Sequence, residues 1–391
     1  MSNDSVRTVT NQSWFSRIKE SFVGILIGLL LFLAAFPVLF LNEGRALKTA
    51  KGLEEGARSV VSVEADVIDK TMDKKLVHVT GEATTVEELD DSAFNVIINA
   101  VALRRTAEMY QWEESKKSET KDKLGGGQET VTTYSYQKSW SKTPINSESF
   151  QERQGHTNPA TMPFTERIER ASLVTLGAYR LPPSLILKMD DFQSLFVTQA
   201  MYEKLPVLIQ SKNSVDNGFL YIGENPQSPQ IGDTRISFQI VKPGPVNVVA
   251  RQIGNSFEPY TTKTNTVIAF LYNGTHSAEN MFQNEISANA TLTWILRGLG
   301  AFLMFFGLML IFRPIAVMAS VVPFIGKVFG FGTTLIAGAI AIPLSLTTIA
   351  IGWIAYRPVI GILLLVVAAA IVAGTIALLR SRAQKKTNAT P

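Results

Sequence analysis

Histidine and cysteine are the side chains that most often carry chemistry, and this sequence of 391 residues has few of them. Its three histidines are His78, His156 and His276, and it contains no cysteine. None of the histidines has another His, Asp or Glu at metal-ligand spacing on an evident helix, so ordinary strand or surface histidines are expected. The lack of cysteine excludes disulfides, iron–sulfur clusters, thiolate zinc sites and cysteine nucleophiles.

Motifs that hold a phosphate or activate a serine are also missing from the sequence. It has no Gly-x-Ser-x-Gly elbow, Walker loop or Gly-x-Gly-x-x-Gly fingerprint. The run Gly125-Gly126-Gly127 follows a charged stretch rather than a strand that opens a helix, so it is predicted to be a hairpin tip. The acid pairs Asp90-Asp91 and Asp190-Asp191 could supply general acid and base groups, but helix caps or turns explain them as well. We therefore predict a protein that is not an enzyme, without catalytic residues, metal or cofactor.

Aromatic and basic side chains cluster in one part of the sequence and form a possible binding surface. Their types would suit a peptide or a polyanion, whereas their spacing is also typical of a cross-strand aromatic ladder with solvated arginines. The ladder is the favoured interpretation, and the binding surface stays open as an alternative. The residues are Arg104, Arg105, Tyr110, Trp112, Tyr134, Tyr136 and Trp140.

These residues must be positioned by a chain whose two ends are strongly apolar, although the overall composition of 46% hydrophobic and 18% charged residues hides this. A bilayer core needs roughly 20 apolar residues in a helix. The first apolar stretch is too long for a signal peptide and lacks a cleavage site, so it is expected to be retained. Four transmembrane helices are predicted, one N-terminal and three C-terminal, at 22–41, 295–312, 331–356 and 358–379.

Residues 42–294 are predicted to form one large β-rich domain outside the membrane. Runs with alternating or β-branched residues predict strands, for example at 76–82, 131–140 and 234–241. A helix is predicted for 184–204, and another is expected to begin after Ser277 and continue into the second span. A weak internal similarity between segments 78–112 and 221–260 suggests two related modules within the domain. The fold class predicted is therefore α+β.

Flanking charges predict which side of the membrane each part occupies. Lysine and arginine without acids follow the last span, so the tail 380–391 is expected in the cytosol. With four spans, the N-terminal tail 1–21 shares that side, and the domain 42–294 is extracytoplasmic. Arg45 and its neighbouring lysines, on the predicted outer side, oppose this assignment. The segment 313–330 is too short to span and is broken by proline, so it is expected to lie in the interface or to re-enter the protein.

Small residues on the predicted spans indicate close helix packing. Gly24 and Gly28 form one small-xxx-small pair, which can pack within the chain or against another copy. A second small-residue face on the third span consists of Ala337, Gly338, Ala341 and Ser345. Ionisable residues are missing from the middle of the spans, which argues against a secondary transporter.

Several short motifs, in order along almost the whole chain, resemble the transmembrane protein 43 (LUMA) family. The resemblance covers about residues 10 to 385 and includes the order of the spans. Among the matching motifs are Trp14-Phe15-Ser16-Arg17, Asn42-Glu43-Gly44-Arg45, Leu103-Arg104-Arg105, Met109-Tyr110-Gln111-Trp112, Gly155-His156, Asn158-Pro159, Glu224-Asn225-Pro226 and Tyr356-Arg357-Pro358.

The resemblance implies a four-span protein with both tails in the cytosol and a role in scaffolding or organising a membrane. Animal members of the family reside in the endoplasmic reticulum and inner nuclear membrane and self-associate. The lack of cysteine and the short tails favour a bacterial member, which would place this chain in the inner membrane with a periplasmic domain. The family has no established catalytic residues, so none is carried over to this sequence.

The function predicted is a non-enzymatic membrane scaffold that self-associates and organises other membrane or envelope proteins through its extracytoplasmic domain. Expected partners are membrane lipid, further copies of the chain and other membrane proteins. Nucleic acid is not expected, because the net charge of +4 is concentrated beside the spans, where lipid headgroups explain it. Two alternatives stay open. The protein could be an accessory subunit of a membrane enzyme or protease complex, or an oligomeric channel lined by Ser345, Thr347 and Thr348.

Overall fold

The computed structural model describes residues 4–203, 205, 213–216 and 218–359 of the chain. It divides into two compact units. The first, here called the β-rich unit, comprises Met1–Thr10, Gly52–Thr120 and Thr130–Asn284. The second, here called the helical unit, comprises Asn11–Lys51, Lys121–Glu129 and Glu285–Pro391.

The first sheet of the β-rich unit has eight strands, and its long central hairpin is the site of the predicted aromatic cluster. Six strands lie side by side, and β8 and β11 pair with β6 and β14 off this path. In spatial order the six are β1 (Ser5–Gln12), β7 (Gln128–Ser141), β6 (Ala102–Asp122), β14 (Thr234–Val241), β13 (Phe219–Ile222) and β12 (Asn213–Asp216). The other two are β8 (Arg167–Arg170) and β11 (Gln193–Leu195).

The second sheet has seven strands and is centred on β15, which pairs with three others, β3, β16 and β19. In spatial order it contains β19 (Phe270–Asn273), β15 (Gly244–Ile253), β16 (Ser256–Glu258), β10 (Tyr179–Arg180), β9 (Thr175–Leu176), β3 (Leu76–Thr84) and β2 (Val61–Glu64). Two small hairpins complete the unit, β4 (Glu88–Asp91) with β5 (Val96–Asn99) and β17 (Tyr260–Thr261) with β18 (Val267–Ile268).

The apolar core of the β-rich unit follows from the alternation along the strands. On β14, Ile236, Phe238 and Ile240 are buried while the residues between them are partly exposed. These three belong to one cluster with Val246 and Val248 of β15, so both sheets contribute to the same core. Full burial of such a side chain stabilises a fold by about 1.5–3 kcal/mol.

The prediction of a single helix at 184–204 is wrong. The structure has only short helices there, α2 (Pro183–Ile186) and α3 (Gln199–Tyr202), with strand β11 between them. Strand β11 pairs with β14, so its backbone hydrogen bonds go to the sheet instead of a helix. The helix-like spacing of apolar residues has another cause, since Leu185 and Met189 are buried in the core of the unit.

The two segments with weak internal similarity do not form separate compact modules. Segment 78–112 contributes β3 to the second sheet and β6 to the first, and segment 221–260 contributes β13 to the first sheet and β15 to the second. Their buried residues belong to a single cluster. Whatever their relation in sequence, the two segments interleave within one core.

The helical unit is built from α1 (Trp14–Ser59), α4 (Ala278–Ala319) and α5 (Pro323–Tyr356). All three are long and apolar enough to cross a membrane, which agrees with three of the four predicted spans. The fourth, at 358–379, lies outside the described residues except for its first two positions. The fold class is thus α+β, with three membrane-capable helices in the described chain instead of four.

The segment 313–330 is mostly helical. Helix α4 continues through Arg313 and Pro314 to Ala319, and α5 begins at Pro323. Proline is well tolerated in the first turn of a helix, because the amide hydrogen that it lacks would have no partner there. The two helices are therefore joined by a corner of three residues, 320–322, and the helix that begins after Ser277 does continue into the second span, as predicted.

Candidate functional site

The backbones of helices α1 and α4 are in direct contact where two glycines face each other. A Cβ atom placed on Gly28 would lie 2.6 Å from the carbonyl oxygen of Gly307, and one placed on Gly307 would lie 2.7 Å from that of Gly28. The sequence pattern identified Gly28 but missed Gly307, which has no small residue four positions away on α4. Gly24 is less constrained, since its nearest neighbour would be the Leu310 side chain at 3.9 Å.

The small-residue face of α5 is also occupied within the chain. Ala337 and Ala341 are buried and belong to one cluster with residues of α1 and α4, including Leu39 and Met304. A Cβ placed on Gly338 would lie 3.7 Å from the ring of Phe305. The buried hydroxyl of Ser345 donates a hydrogen bond to the carbonyl of Ile342 on its own helix, at 2.9 Å.

Replacing Gly28 by alanine should destabilise the helical unit. The added methyl group would meet backbone atoms of α4, which cannot rotate away, so the helices must separate. Overpacking of this kind typically costs about 1–3 kcal/mol. The measurement is the thermal unfolding midpoint in detergent. Gly298→Ala is the matched control, because a Cβ there meets nothing within 4 Å, and it should be neutral or stabilising by up to ~1 kcal/mol. Equal midpoints for the two variants would contradict the packing described.

A buried carboxylate connects the three long helices. Glu43 on α1 accepts hydrogen bonds from the Arg297 guanidinium of α4, Nε to Oε1 at 2.7 Å and Nη2 to Oε2 at 2.8 Å. The indole Nε1 of Trp353 on α5 donates to Oε2 at 2.7 Å. The side chains of Glu43 and Arg297 are only 5% and 14% exposed. Three charge-assisted hydrogen bonds in this geometry fix the mutual position of the helices.

Next to this carboxylate, Arg45 is held by neutral groups. Its guanidinium donates to Oδ1 of Asn289 at 2.9 Å, to Oδ1 of Asn42 at 3.0 Å and to Oγ1 of Thr293 at 3.1 Å. The amide of Asn42 donates in turn to the carbonyl of Thr293, at 3.1 Å. Arg45 is therefore part of the helix interface and not a free charge beside a span. For this reason it counts little as evidence against the membrane orientation predicted from the flanking charges.

Glycine is required between these polar residues. A Cβ on Gly44 would lie 2.5 Å from the ring of Tyr356, and one on Gly352 would lie 3.1 Å from Cγ of Glu43. The motif Asn42-Glu43-Gly44-Arg45 thus supplies an acid, a close contact and a base along one turn of α1. This set of residues, with Arg297 and Trp353, is here called the Glu43 network.

The tip of the β6–β7 hairpin, residues 121–129, is itself part of the helical unit and contacts the ends of helices there. Gly126, with a φ of +80°, packs on the ring of Trp14, and the indole of Trp14 donates to the carbonyl of Val317 at 3.0 Å. The buried Arg17 guanidinium donates to the carbonyl of Gly126 and, at 3.1 Å, to the hydroxyl of Ser320. The glycine run is a hairpin tip, as predicted, and it packs against Trp14 and Arg17.

Four of the predicted surface residues form a ladder on the β6–β7 hairpin. The rings of Tyr110 and Trp140 lie 5.1 Å apart. Cations cover further rings: Lys138 lies over Trp112 at 4.9 Å and Lys116 over Tyr134 at 5.8 Å. All four aromatic residues are partly exposed, so they can contact a partner as well as stabilise the strands.

The two adjacent arginines have different environments. Arg105 is 8% exposed and forms a bidentate ion pair with the buried carboxylate of Asp91, at 2.7 and 2.8 Å. Arg104 stacks on the ring of Phe192, with Cζ 3.7 Å from its centroid, and lies 3.8 Å from the Glu166 carboxylate. Arg105 is thus neither solvated nor free to bind a ligand, and only Arg104 can extend the aromatic surface.

Tyr136 leaves the ladder and belongs to an enclosure around His156. The two rings stack at 4.0 Å, and Trp112 approaches the imidazole edge-on at 4.7 Å. The hydroxyl of Tyr136 donates to the Glu114 carboxylate at 2.8 Å. Burial, assisted by this hydrogen bond, raises the pKa of Tyr136 to about 12. We call His156, Tyr136 and Trp112 the His156 enclosure. Sequence reasoning noted these residues separately but could not place them together.

Metal-binding clusters of three or more His, Cys, Asp or Glu residues are not found among the described residues. His78 lies on β3, and its Nε2 faces the carbonyl of His276 at 3.1 Å. Burial lowers the pKa of His78 and favours its neutral form. An apolar groove of about 460 Å³ lies between α1 and α5 in the helical unit. It is lined by Phe36, Pro37, Phe40, Leu344, Thr347, Thr348 and Ile351.

Known proteins resemble this chain over most of its length. A family model described as Transmembrane protein 43 matches residues 109–358. Transmembrane protein 43 of Homo sapiens is 35% identical over 372 residues, which cover 92% of this chain and 91% of the human protein. The Transmembrane protein 43 homolog of Drosophila melanogaster is 31% identical over 356 residues, covering 88% of this chain and 92% of the fly protein. The chain belongs to the transmembrane protein 43 family.

This membership confirms the resemblance inferred from the sequence motifs. The transmembrane protein 43 family model covers the β6–β7 hairpin from Met109 onward, the His156 enclosure, α4 and α5. The matched region therefore includes Arg297 and Trp353, the two side chains that donate to the Glu43 carboxylate. No solved structure matches the chain.

Proposed function

We propose that this transmembrane protein 43 family member is a non-enzymatic scaffold that self-associates in the membrane and organises other membrane or envelope proteins. Its β-rich unit presents the contact surface to those proteins. The compartment proposed is the periplasm of a bacterium, with the protein in the inner membrane.

The observation that carries this proposal is that the buried carboxylates Glu43 and Asp91 are paired with other side chains of the protein. The Glu43 carboxylate accepts hydrogen bonds from Arg297 and Trp353, and the Asp91 carboxylate accepts two from Arg105. A general acid or base must reach a substrate, whereas the side chains of Asp91 and Glu43 are only 3% and 5% exposed and are each paired with an arginine. Such pairs specify geometry, which is what a scaffold requires.

Exposed apolar side chains on the helices support contacts with lipid and with a second copy. On α5 they include Phe331, Leu335, Ile342 and Leu346, each more than half exposed. Apolar surface of this extent on a protein marks a membrane-facing or protein-binding surface. Because the small-residue faces of α1 and α5 pack inside the chain, self-association would use these larger side chains instead.

The channel alternative gains little from the polar residues of α5. The hydroxyls of Ser345 and Thr348 donate to carbonyls of their own helix, at 2.9 and 2.7 Å. The accessory-subunit alternative shares every feature of the scaffold and differs only in its partner. The partner must therefore be found by experiment.

Co-expression of two differently tagged copies tests self-association. We expect capture of one tag from nanodiscs to recover the other copy, while an unrelated tagged membrane protein of similar abundance is not recovered. In-cell crosslinking followed by mass spectrometry should show several envelope proteins crosslinked to the β-rich unit. Crosslinks to one protease or oxidoreductase alone would favour the accessory subunit. A monomer without crosslinked partners would overturn the scaffold proposal.

A further inference from the structure

The helical unit has a layer of aromatic and basic side chains at one end of its apolar stretches, here called the interface layer. On α4, Trp294 and Arg297 lie where the second span begins. On α5, Trp353 and Tyr356 lie where the third span ends. Tryptophan and tyrosine are enriched where a helix passes from hydrocarbon to lipid headgroups. The interface layer therefore lies at the level of the headgroups.

Helix α1 reaches the interface layer with Gly44 and Arg45. Gly44 packs against Tyr356, since a Cβ placed on it would lie 2.5 Å from the tyrosine ring. Arg45 follows Gly44 directly in the sequence, and Arg357 follows Tyr356. The contact between Gly44 and Tyr356 therefore brings these two arginines to neighbouring parts of the layer.

Cations outnumber acids in the interface layer. The guanidinium groups of Arg297 and Arg357 lie over the ring of Trp353, with Cζ 5.7 and 6.0 Å from its centroid. Arg297 has a counter-charge, the carboxylate of Glu43. Neither Arg45 nor Arg357 forms an ion pair with any residue that the structure describes. Two positive charges of the layer are thus left without compensation by the described protein groups.

The Arg45 guanidinium is held in place and keeps donors to spare. Its three hydrogen bonds all go to neutral side-chain oxygens, those of Asn42, Asn289 and Thr293. A guanidinium has five N–H donors, and Nε of Arg45 is buried without a partner in the described part of the chain. Partial burial of a cation is unfavourable unless it is paired. Because Arg45 is partly exposed, an anion can reach it and supply the missing charge.

We propose that Arg45 and Arg357 bind the phosphate of an anionic phospholipid. The guanidinium fork matches a phosphate in geometry and charge, and anionic headgroups attract basic side chains near the membrane surface. A lipid fits better than a free anion, because exposed apolar side chains lie beside both arginines. Leu41 is 60% exposed and lies one turn before Arg45 on the same face of α1, and Ile351 is 53% exposed and precedes Arg357 on α5. Acyl chains would lie along these residues.

Lipid binding to the purified full chain tests the proposal. The protein in detergent would be titrated with anionic phosphatidylglycerol or with neutral phosphatidylcholine of the same acyl chains, and bound lipid counted by native mass spectrometry. We expect phosphatidylglycerol to bind more tightly. Arg45→Gln and Arg357→Gln should each weaken its binding about fivefold. Equal binding of the two lipids by the unmodified protein would overturn the proposal.

The matched control is Arg58→Gln, which removes an exposed arginine from the same helix as Arg45. Arg58 lies 13 residues further along α1, about 20 Å at the rise of an α-helix. This variant should bind phosphatidylglycerol as tightly as the unmodified protein. If it lost as much affinity as Arg45→Gln, the attraction would come from overall charge, and the proposed site would be wrong.

Arg357→Gln separates lipid binding from folding, because the Arg357 side chain donates no hydrogen bond within the described chain. Its unfolding midpoint without lipid should equal that of the unmodified protein. A ligand that binds the folded state raises the midpoint, so phosphatidylglycerol should raise it less in this variant. An equal rise in both proteins would contradict the assignment of Arg357.

Inorganic phosphate tests the other source of the same chemistry. Added to the protein in phosphatidylcholine nanodiscs, it should leave the unfolding midpoint unchanged. A rise that Arg357→Gln abolishes would assign the site to free phosphate and overturn the lipid proposal. The scaffold proposal is tested by capture of a second tagged copy, so either proposal can fail without the other.

Discussion

Glu43→Gln is expected to destabilise the helical unit by about 3–5 kcal/mol, the loss typical when one member of a buried ion pair is removed. Glutamine keeps the size of the side chain and an oxygen that can accept from Trp353. It leaves the Arg297 guanidinium, 14% exposed, without a counter-charge. The penalty therefore arises from the unpaired cation more than from a lost contact. The unfolding midpoint in detergent or nanodiscs measures it.

A double variant separates the charge from the packing. Glu43→Gln with Arg297→Gln removes both charges and should recover a large part of the lost stability, because no buried ion remains. The matched control is Glu258→Gln, which breaks the exposed pair with Arg251 at 2.8 Å. Exposed pairs contribute at most about 1 kcal/mol. If Glu43→Gln and Glu258→Gln lowered the midpoint equally, the Glu43 network would not have the role described here.

Asp91→Asn is expected to cost a similar amount, about 3–5 kcal/mol, in the β-rich unit. The Arg105 guanidinium would retain the carbonyl of Thr165, at 3.2 Å, but would lose the carboxylate that accepts two of its hydrogen bonds. The side chains of Asp91 and Arg105 are 3% and 10% exposed, so water cannot replace the missing partner without opening the core. Denaturant unfolding of the full chain, followed by tryptophan fluorescence of the hairpin, provides the measurement.

The neighbouring arginine offers the control for this prediction. Glu166→Gln weakens the approach of Arg104 to a carboxylate that is 56% exposed and 3.8 Å away. The expected loss is below about 1 kcal/mol, since solvent screens that pair. A loss as large as that of Asp91→Asn would mean that Arg104 and Arg105 do not differ in the way their burial indicates.

Local patterns predicted much of the fold. Alternation identified β14, because one face of that strand is buried and the other is not, and long apolar runs located α1, α4 and α5. The helix expected over 184–204 failed because the same spacing of apolar residues arose from burial of α2 and its flanks against the sheets. Strand β1 was not predicted, since its pairing with β7 depends on residues more than a hundred positions away.

Residues of the candidate site could be predicted where the local sequence pattern was enough. They could not be predicted where the contacting residue on another helix had to be known. Gly28 was identified from its spacing to Gly24, whereas Gly307 requires the structure of the facing helix. Arg297 was visible in the sequence as a lone charge at the edge of a span. Such a charge needs a counter-ion, and Glu43 is the first acid after span one, so the pair was within reach of charge-balance reasoning.

The contact between Gly28 and Gly307 and the ion pair between Glu43 and Arg297 hold α1 and α4 together at two separate points. The glycine contact brings the two backbones together without intervening side chains, so the helices cannot approach each other more closely there. The ion pair lies 15 residues further along α1, about 22 Å at the rise of an α-helix. Two contacts this far apart fix both the separation of α1 and α4 and the angle at which the helices cross.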